Sequence, residues 1–192
     1  MKRARAFRKN ESGYNLVEVL ISMAILGVVI ISIFGLFLSG QHNIYSGRQM
    51  TQAVSISNRV MEDIAHLSKD SLYAAFGVDV ATATLGNVDL DPTEALPNDK
   101  YTSALTRNTA SFTAAQDPSG FLQRWKNAIA GDSKLAFGTV HVVMMPRNRD
   151  DVGGTITETA NIDGELIRVR VIVRWQESTK HRQIVMDTIK FD

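Results

Sequence analysis

Glu18 is the residue whose placement asks most for a chemical role. It is the only formally charged side chain between Glu11 and Arg48, and it stands at the front of an apolar run. An acid at the centre of a bilayer costs about 2.5–3.5 kcal/mol, less near a helix end, so such a residue is a functional candidate by default. Its natural partner is a cation: in a low-dielectric setting the attraction is strong and neutralises the buried acid. The plainer reading is an interfacial glutamate favoured by the helix dipole at the first turn. Just before it lie Gly13 and Tyr14, a residue without a side chain followed by an aromatic one.

Other groups able to do chemistry are scattered. His42, His66, His141 and His181 show no metal-ligand spacing, and the chain has no cysteine, which excludes a thiolate site and a disulfide staple. Asp89 with Asp91, Asp150 with Asp151, and the run Asn161-Ile162-Asp163-Gly164 could offer oxygens to calcium, but such residues are also what turns are made of. No cofactor is expected. Arg168, Arg170 and Arg174 form a basic strip without interleaved aromatics, which reads as a solvated sheet face and not a nucleic-acid site. With no nucleophile–base pair or phosphate loop, an enzyme is not expected.

The elements that position Glu18 follow from charge and hydropathy. Lys2, Arg3, Arg5, Arg8 and Lys9 crowd residues 1–13, so that segment holds five of the 21 basic residues against one of the 20 acids, leaving the remainder at about −3. From Val19 to Leu38 no residue is charged. As a helix that is about 30 Å, the thickness of a bilayer's hydrocarbon core. Positive charge stays on the cytoplasmic side, which predicts a single span with the N-terminus inside. A secretory signal peptide would have a shorter apolar core and a small-residue cleavage site, and neither is present.

Beyond the span, residues 41–76 hold one glycine, Gly47, and no proline. Met50, Val54, Met61 and Ile64, with Ile56, Val60, Leu67 and Leu72, recur at three and four residues, predicting an amphipathic continuation of the same helix. Residues 77–115 read as loops with a short strand or helical turn. Pro118 opens a short helix stopped by Gly131. Thr139–Met145 is a predicted strand, and Glu165–Trp175 alternates clearly. Its face Ile167, Val169, Val171, Val173 and Trp175 should lie on the long helix, leaving Arg168, Arg170 and Arg174 outward. A turn at Gln176–His181 and a strand over 182–191 complete an α+β head of at least three antiparallel strands. The expected divisions are 1–13 a basic leader, 14–76 the long helix (14–40 membrane-spanning, 41–76 amphipathic) and 77–192 the head.

The junction ESG-YNLVEVLISMAILGVVIISI closely resembles the prepilin signature of type IV pilins and type II secretion pseudopilins: a basic leader ending in glycine, an aromatic first mature residue, and a glutamate fifth in an apolar helix. Tyr14 stands where phenylalanine is commonest and Asn15 where threonine often is. The resemblance implies a type IV pilin-like fold, cleavage between Gly13 and Tyr14 by prepilin peptidase, and methylation of the new Tyr14 amine. It also implies pairing of Glu18 with the Tyr14 amine of a neighbouring subunit. Implied partners are other pilins or pseudopilins through their N-terminal helices, the peptidase and an inner-membrane assembly platform. The implied location is the inner membrane with a periplasmic head, then a pilus or pseudopilus. Gly27 and Gly35 would let helices approach closely. Gly35 stands where major pilins usually carry proline, and the ending RVRVIVRWQESTKHRQIVMDTI is similar to PilV-type minor pilins and I-type minor pseudopilins. The expectation is therefore a minor pilin that primes or joins a type IV pilus. The alternatives are a minor pseudopilin of a type II secretion system and a single-span anchored binding module that never polymerises.

Overall fold

The computed structural model describes residues 15–90, 100–131, 135, 137–149, 156–158, 162, 164–177 and 179–191. The expected leader, with Gly13 and Tyr14, lies outside them. The chain divides by compactness into Met1–Tyr45 and Ser46–Asp192. Helix α1, Leu16–Ala65, supplies all the described structure of the first unit and contributes to the second.

In the first unit the helix is apolar all round and bare. Leu16, Ile25, Ile31 and Leu36 are each more than 60% exposed. A surface of this kind is stable in water only when lipid or other apolar helices cover it. The hydroxyl of Ser32, one of two serines in the run, donates to the Val28 carbonyl at 2.9 Å and is satisfied by its own helix.

In the second unit, Gln49, Ala53, Ile56, Ser57, Val60 and Ile64 are buried, a stripe at intervals of one, three and four residues. The stripe differs from the expected one: Met50 is 58% exposed, because the face that meets the sheet is set by Ala53 and Ile56. The helix also ends sooner than expected. Residues 14–76 do not form one helix; α1 stops at Ala65 and α2 runs from Lys69 to Ala75. The break is made by capping. Ser68 Oγ accepts from Ser71 N at 3.2 Å, satisfying one of the free N–H groups that any new helix start exposes.

Gly77 follows with φ +59°, and a Cβ there would lie 1.7 Å from the Ala115 carbonyl oxygen. Only glycine permits both this conformation and the contact. Helix α3, Phe121–Ala130, begins three residues after Pro118. The Asp117 carboxylate accepts from Leu122 N and Gln123 N at 3.0 and 2.9 Å, and Trp125 donates its indole N–H to Asp63 of α1 at 2.8 Å.

Among the described residues six strands form the sheet: β1 Gly86–Asp89, β2 Lys100–Asn108, β3 Thr139–Arg149, β4 Ile156–Glu158, β5 Leu166–Glu177 and β6 Lys180–Phe191. Their order is β1-β2-β3-β5-β6, with β4 beside the end of β3, and every pairing is antiparallel. Ile167, Val169, Val171, Val173 and Trp175 join Ala53, Ile56, Val60 and Ile64 of α1 in one core, as the alternation of β5 predicts. The β5–β6 turn is tighter than expected, since Glu177 already pairs with Lys180. Within 77–115, β2 is a nine-residue strand, longer than the short strand or turn expected there.

The outer face of the sheet is not simply solvated. Residues Gly86 to Val88 of β1 oppose Ala104 to Tyr101 of β2, three positions against four, with Ser103 at φ +46°. The extra residue is a bulge, which bends the strand. Val88 and Leu90 then pack on a second apolar cluster of Tyr101, Ala104, Val143, Met145 and Ile172.

Candidate functional site

Helix α1 starts at Asn15, whose carbonyl accepts from Glu18 N at 2.8 Å and Val19 N at 3.2 Å. Its side-chain oxygen lies 3.5 Å from Val17 N, at the outer limit of a capping bond. Glu18 is therefore in the first helical turn. There the unpaired N–H groups of the helix end favour a negative charge. It is exposed, and so are its apolar neighbours Val17, Val19, Leu20 and Ile21. A lone carboxylate on an otherwise apolar helix end cannot be left unpaired once lipid or other helices cover it. The arrangement is thus suited to capture a cation brought by a neighbouring molecule.

Space for close neighbours exists along the same helix. A Cβ at Gly27 or Gly35 would meet nothing within 4 Å. A shallow apolar groove is lined by Ile33, Leu36, Phe37, Gly40, Gln41 and Ile44. In a bilayer, apolar side chains gain little from each other over lipid, so such notches matter for packing.

The remaining sequence candidates resolve differently. Arg168 and Arg170 do face outward, but both bind Asp187. Arg168 Nη2 lies 2.6 Å from Oδ2, and Arg170 donates twice, at 2.6 and 2.7 Å. Arg170 holds the Asp187 carboxyl below its usual range, and Arg168 assists. The Arg170 guanidinium also lies 5.4 Å from the centre of the Tyr101 ring. Arg174 is only 9% exposed and donates to the Leu90 carbonyl at 3.4 Å. The expected strip of three solvated arginines is therefore corrected: Arg168 is half-buried and paired with Asp187, Arg170 is held by the same carboxylate beside the Tyr101 ring, and Arg174 is buried with its guanidinium on the Leu90 carbonyl. Sequence could not show this, because the partners arrive from other strands: Asp187 from β6, Tyr101 from β2 and Leu90 from the end of β1.

Among the described residues no group of three or more His, Cys, Asp or Glu could hold a metal. Asp89 is 3.7 Å from Lys100. The other calcium candidates, Asp91, Asp150, Asp151, Asn161 and Asp163, lie outside the described residues. His141 is buried at 9% exposure, a feature that its position in the sequence does not announce.

Comparison with known families gives one finding. A family model described as the prokaryotic N-terminal methylation motif matches residues 8–39. No curated protein and no solved structure was found to match the chain. The match spans Arg8, Lys9, Gly13, Tyr14, Glu18 and the apolar run, and the motif belongs to a structural family, not an enzyme family. Together with a helix long and apolar enough to cross a membrane and the sheet packed on its far half, this makes the chain an α+β protein whose N-terminal segment is type IV prepilin-like and carries the prokaryotic N-terminal methylation motif.

Proposed function

We propose that the protein is the precursor of a minor type IV pilin, a structural subunit that primes or joins assembly of the filament. The observation that carries this reading is Glu18. It is a single carboxylate in the first turn of an exposed apolar helix, inside the matched methylation motif. In this reading, prepilin peptidase cuts between Gly13 and Tyr14. The absence of a side chain at Gly13 gives the peptidase access to the scissile bond. The new amine on Tyr14 is methylated and keeps its charge. Glu18 of one subunit then pairs with the Tyr14 amine of its neighbour, which sets the axial register while apolar helices supply the packing. Before assembly the helix spans the inner membrane with the head in the periplasm, and an inner-membrane platform extracts it.

The minor role is supported by Gly35 at the place where major pilins usually carry proline, and by the absence of cysteine. The β5–β6 hairpin following Trp175 suits minor pilins and minor pseudopilins alike, so the test must separate them. The gene is deleted, surface pili are counted, and secreted proteins are assayed in the same strain. Loss of pili with normal secretion supports the proposal. Normal pili with exoproteins trapped in the periplasm would replace it by a pseudopilin, and no change in either would favour an anchored binding module.

A further inference from the structure

We propose that the heads join end to end: Phe137 at one end of the sheet docks on Ile189 and Phe191 at the opposite end of a second copy of this chain. The contact presupposes the filament subunit proposed above and goes beyond its helix packing. The second unit leaves little apolar surface uncovered. Besides Met50 on α1, its exposed large apolar side chains among the described residues are Phe137 at 84%, Phe191 at 66% and Ile189 at 41%.

A lone exposed apolar residue is ordinary, but Phe137 is also strained. Its φ is +53°, a conformation that a bulky side chain rarely adopts. The Gly138 N–H donates to the Leu135 carbonyl at 3.2 Å. That bond closes a turn with Phe137 third, a place where positive φ favours glycine. Both ends of the turn are fixed. Leu135 is buried in the main core, and a Cβ on Gly138 would lie 2.7 Å from Ile129 Cγ2, so the chain passes tightly against α3. A strained backbone thus holds a large aromatic side chain out in water, with little contact inside its own chain. A partner that covers the ring supplies the missing burial, and the preset turn lowers the ordering cost.

The receiving surface lies at the other end of the strands. Thr139, two residues after Phe137, is level with Arg174 and Gln183, whereas Phe191 is level with Leu166 and Arg147. Eight residue steps along β3, from Thr139 to Arg147, separate the two levels, about 27 Å. Ile189 and Phe191 pair with Arg168 and Leu166, so both project from the outer face, away from α1. Charge fits the same arrangement. Lys180 is exposed at the Phe137 end and Glu165 at the Phe191 end, while Arg168 and Lys190 near Phe191 are engaged by Asp187 and the Ala65 carbonyl. A knob and its receptor at opposite ends of one chain make a heterologous contact, which repeats from copy to copy. The surface is small, so the contact is weak alone and acts through the high local concentration that packed α1 helices provide.

Photocrosslinking reads the contact directly. A benzophenone analogue of phenylalanine at position 137 keeps an aromatic knob in place. Isotope-labelled and unlabelled full-length precursors are mixed in detergent micelles and irradiated, and the joined peptides are identified by mass. The same analogue in place of the exposed Ser111 sets the collision background. Label-mixed adducts should fall on the peptide that carries Ile189 and Phe191, in a ladder that extends beyond the dimer. Phe191→Ser, a change at an exposed side chain, should cut their yield roughly tenfold. Adducts no more abundant than those from position 111, adducts mapped elsewhere on the partner, or a yield unmoved by Phe191→Ser overturn the proposal. A series that stops at the dimer overturns it equally, because that is a closed pair. No peptidase enters the measurement, so its failure leaves cleavage at Gly13–Tyr14 standing, and an uncut chain leaves this contact standing.

Discussion

The ammonium of Lys190 on β6 donates to the main-chain carbonyl of Ala65, the last residue of α1. The last turn of α1 has no basic residue of its own, so the final strand supplies the cation that a helix C-terminus favours. The contact ties the end of the helix to the sheet edge across 125 residues of sequence. Lys190→Met should lower the stability of the head by about 0.5–1 kcal/mol, the usual worth of such a charge at an exposed helix end. The loss should shrink in 1 M salt. Urea titration at two ionic strengths checks both points.

Gly77 should tolerate no side chain. Its positive φ and the approach of the Ala115 carbonyl oxygen combine strain of about 1–3 kcal/mol with a clash that the backbone must move to relieve. Gly77→Ala is expected to cost at least about 3 kcal/mol in urea unfolding. A loss below 1 kcal/mol would mean that the turn between α2 and the 114–116 segment rearranges freely.

Asp187 sets a pH dependence. Its carboxyl is held below the ordinary value by Arg170 and then Arg168, so its folded-state affinity for protons is depressed. Its stabilisation is therefore present above about pH 4 and is lost as pH falls through the depressed value. Because the pair is partly exposed, solvent screening keeps the effect small. Asp187→Asn should cost about 1 kcal/mol at pH 7 and flatten the acid limb of stability against pH.

Two substitutions address the proposed processing and assembly. Gly13→Leu should leave the precursor uncut, seen as a leader-length mobility difference on a gel. Glu18→Ala should be cut normally yet fail to enter filaments, because the register pairing is gone while the scissile bond is untouched. A Glu18→Ala subunit incorporated at wild-type levels would remove the pairing from the account.

The sequence was most informative where one physical pattern governs a whole element. The run from Val19 to Leu38 predicts, by composition and length, a helix able to cross a membrane, and α1 contains it. The alternation from Leu166 to Trp175 revealed both the strand and the face that meets α1. Legibility failed where tertiary contacts override local pattern. Nothing between Arg48 and Phe76 marks a break, since neither proline nor a second glycine is there; the stop at Ala65 is made by Ser68 and by Lys190 from β6. Strand β2 lacks apolar alternation because its bulge at Ser103 moves Tyr101 onto the outer cluster. Pro146 hid the extension of β3. It pairs with Ile167 of β5, but β2 pairs only as far as Met144 and β4 begins at Arg147, so no neighbour on that side needs its missing N–H. The place of Glu18 in the first turn of the apolar helix was legible from motif and charge, and the burial of Arg174 and His141 was not.

The central claim is that this chain is a precursor processed at Gly13–Tyr14. Its most direct test is the mass of the N-terminal peptide of the protein recovered from membranes of a strain with an active prepilin peptidase. The account predicts a chain that begins at Tyr14 and carries a methyl group on its amine. A peptide that begins at Met1 and retains residues 1–13 would contradict it.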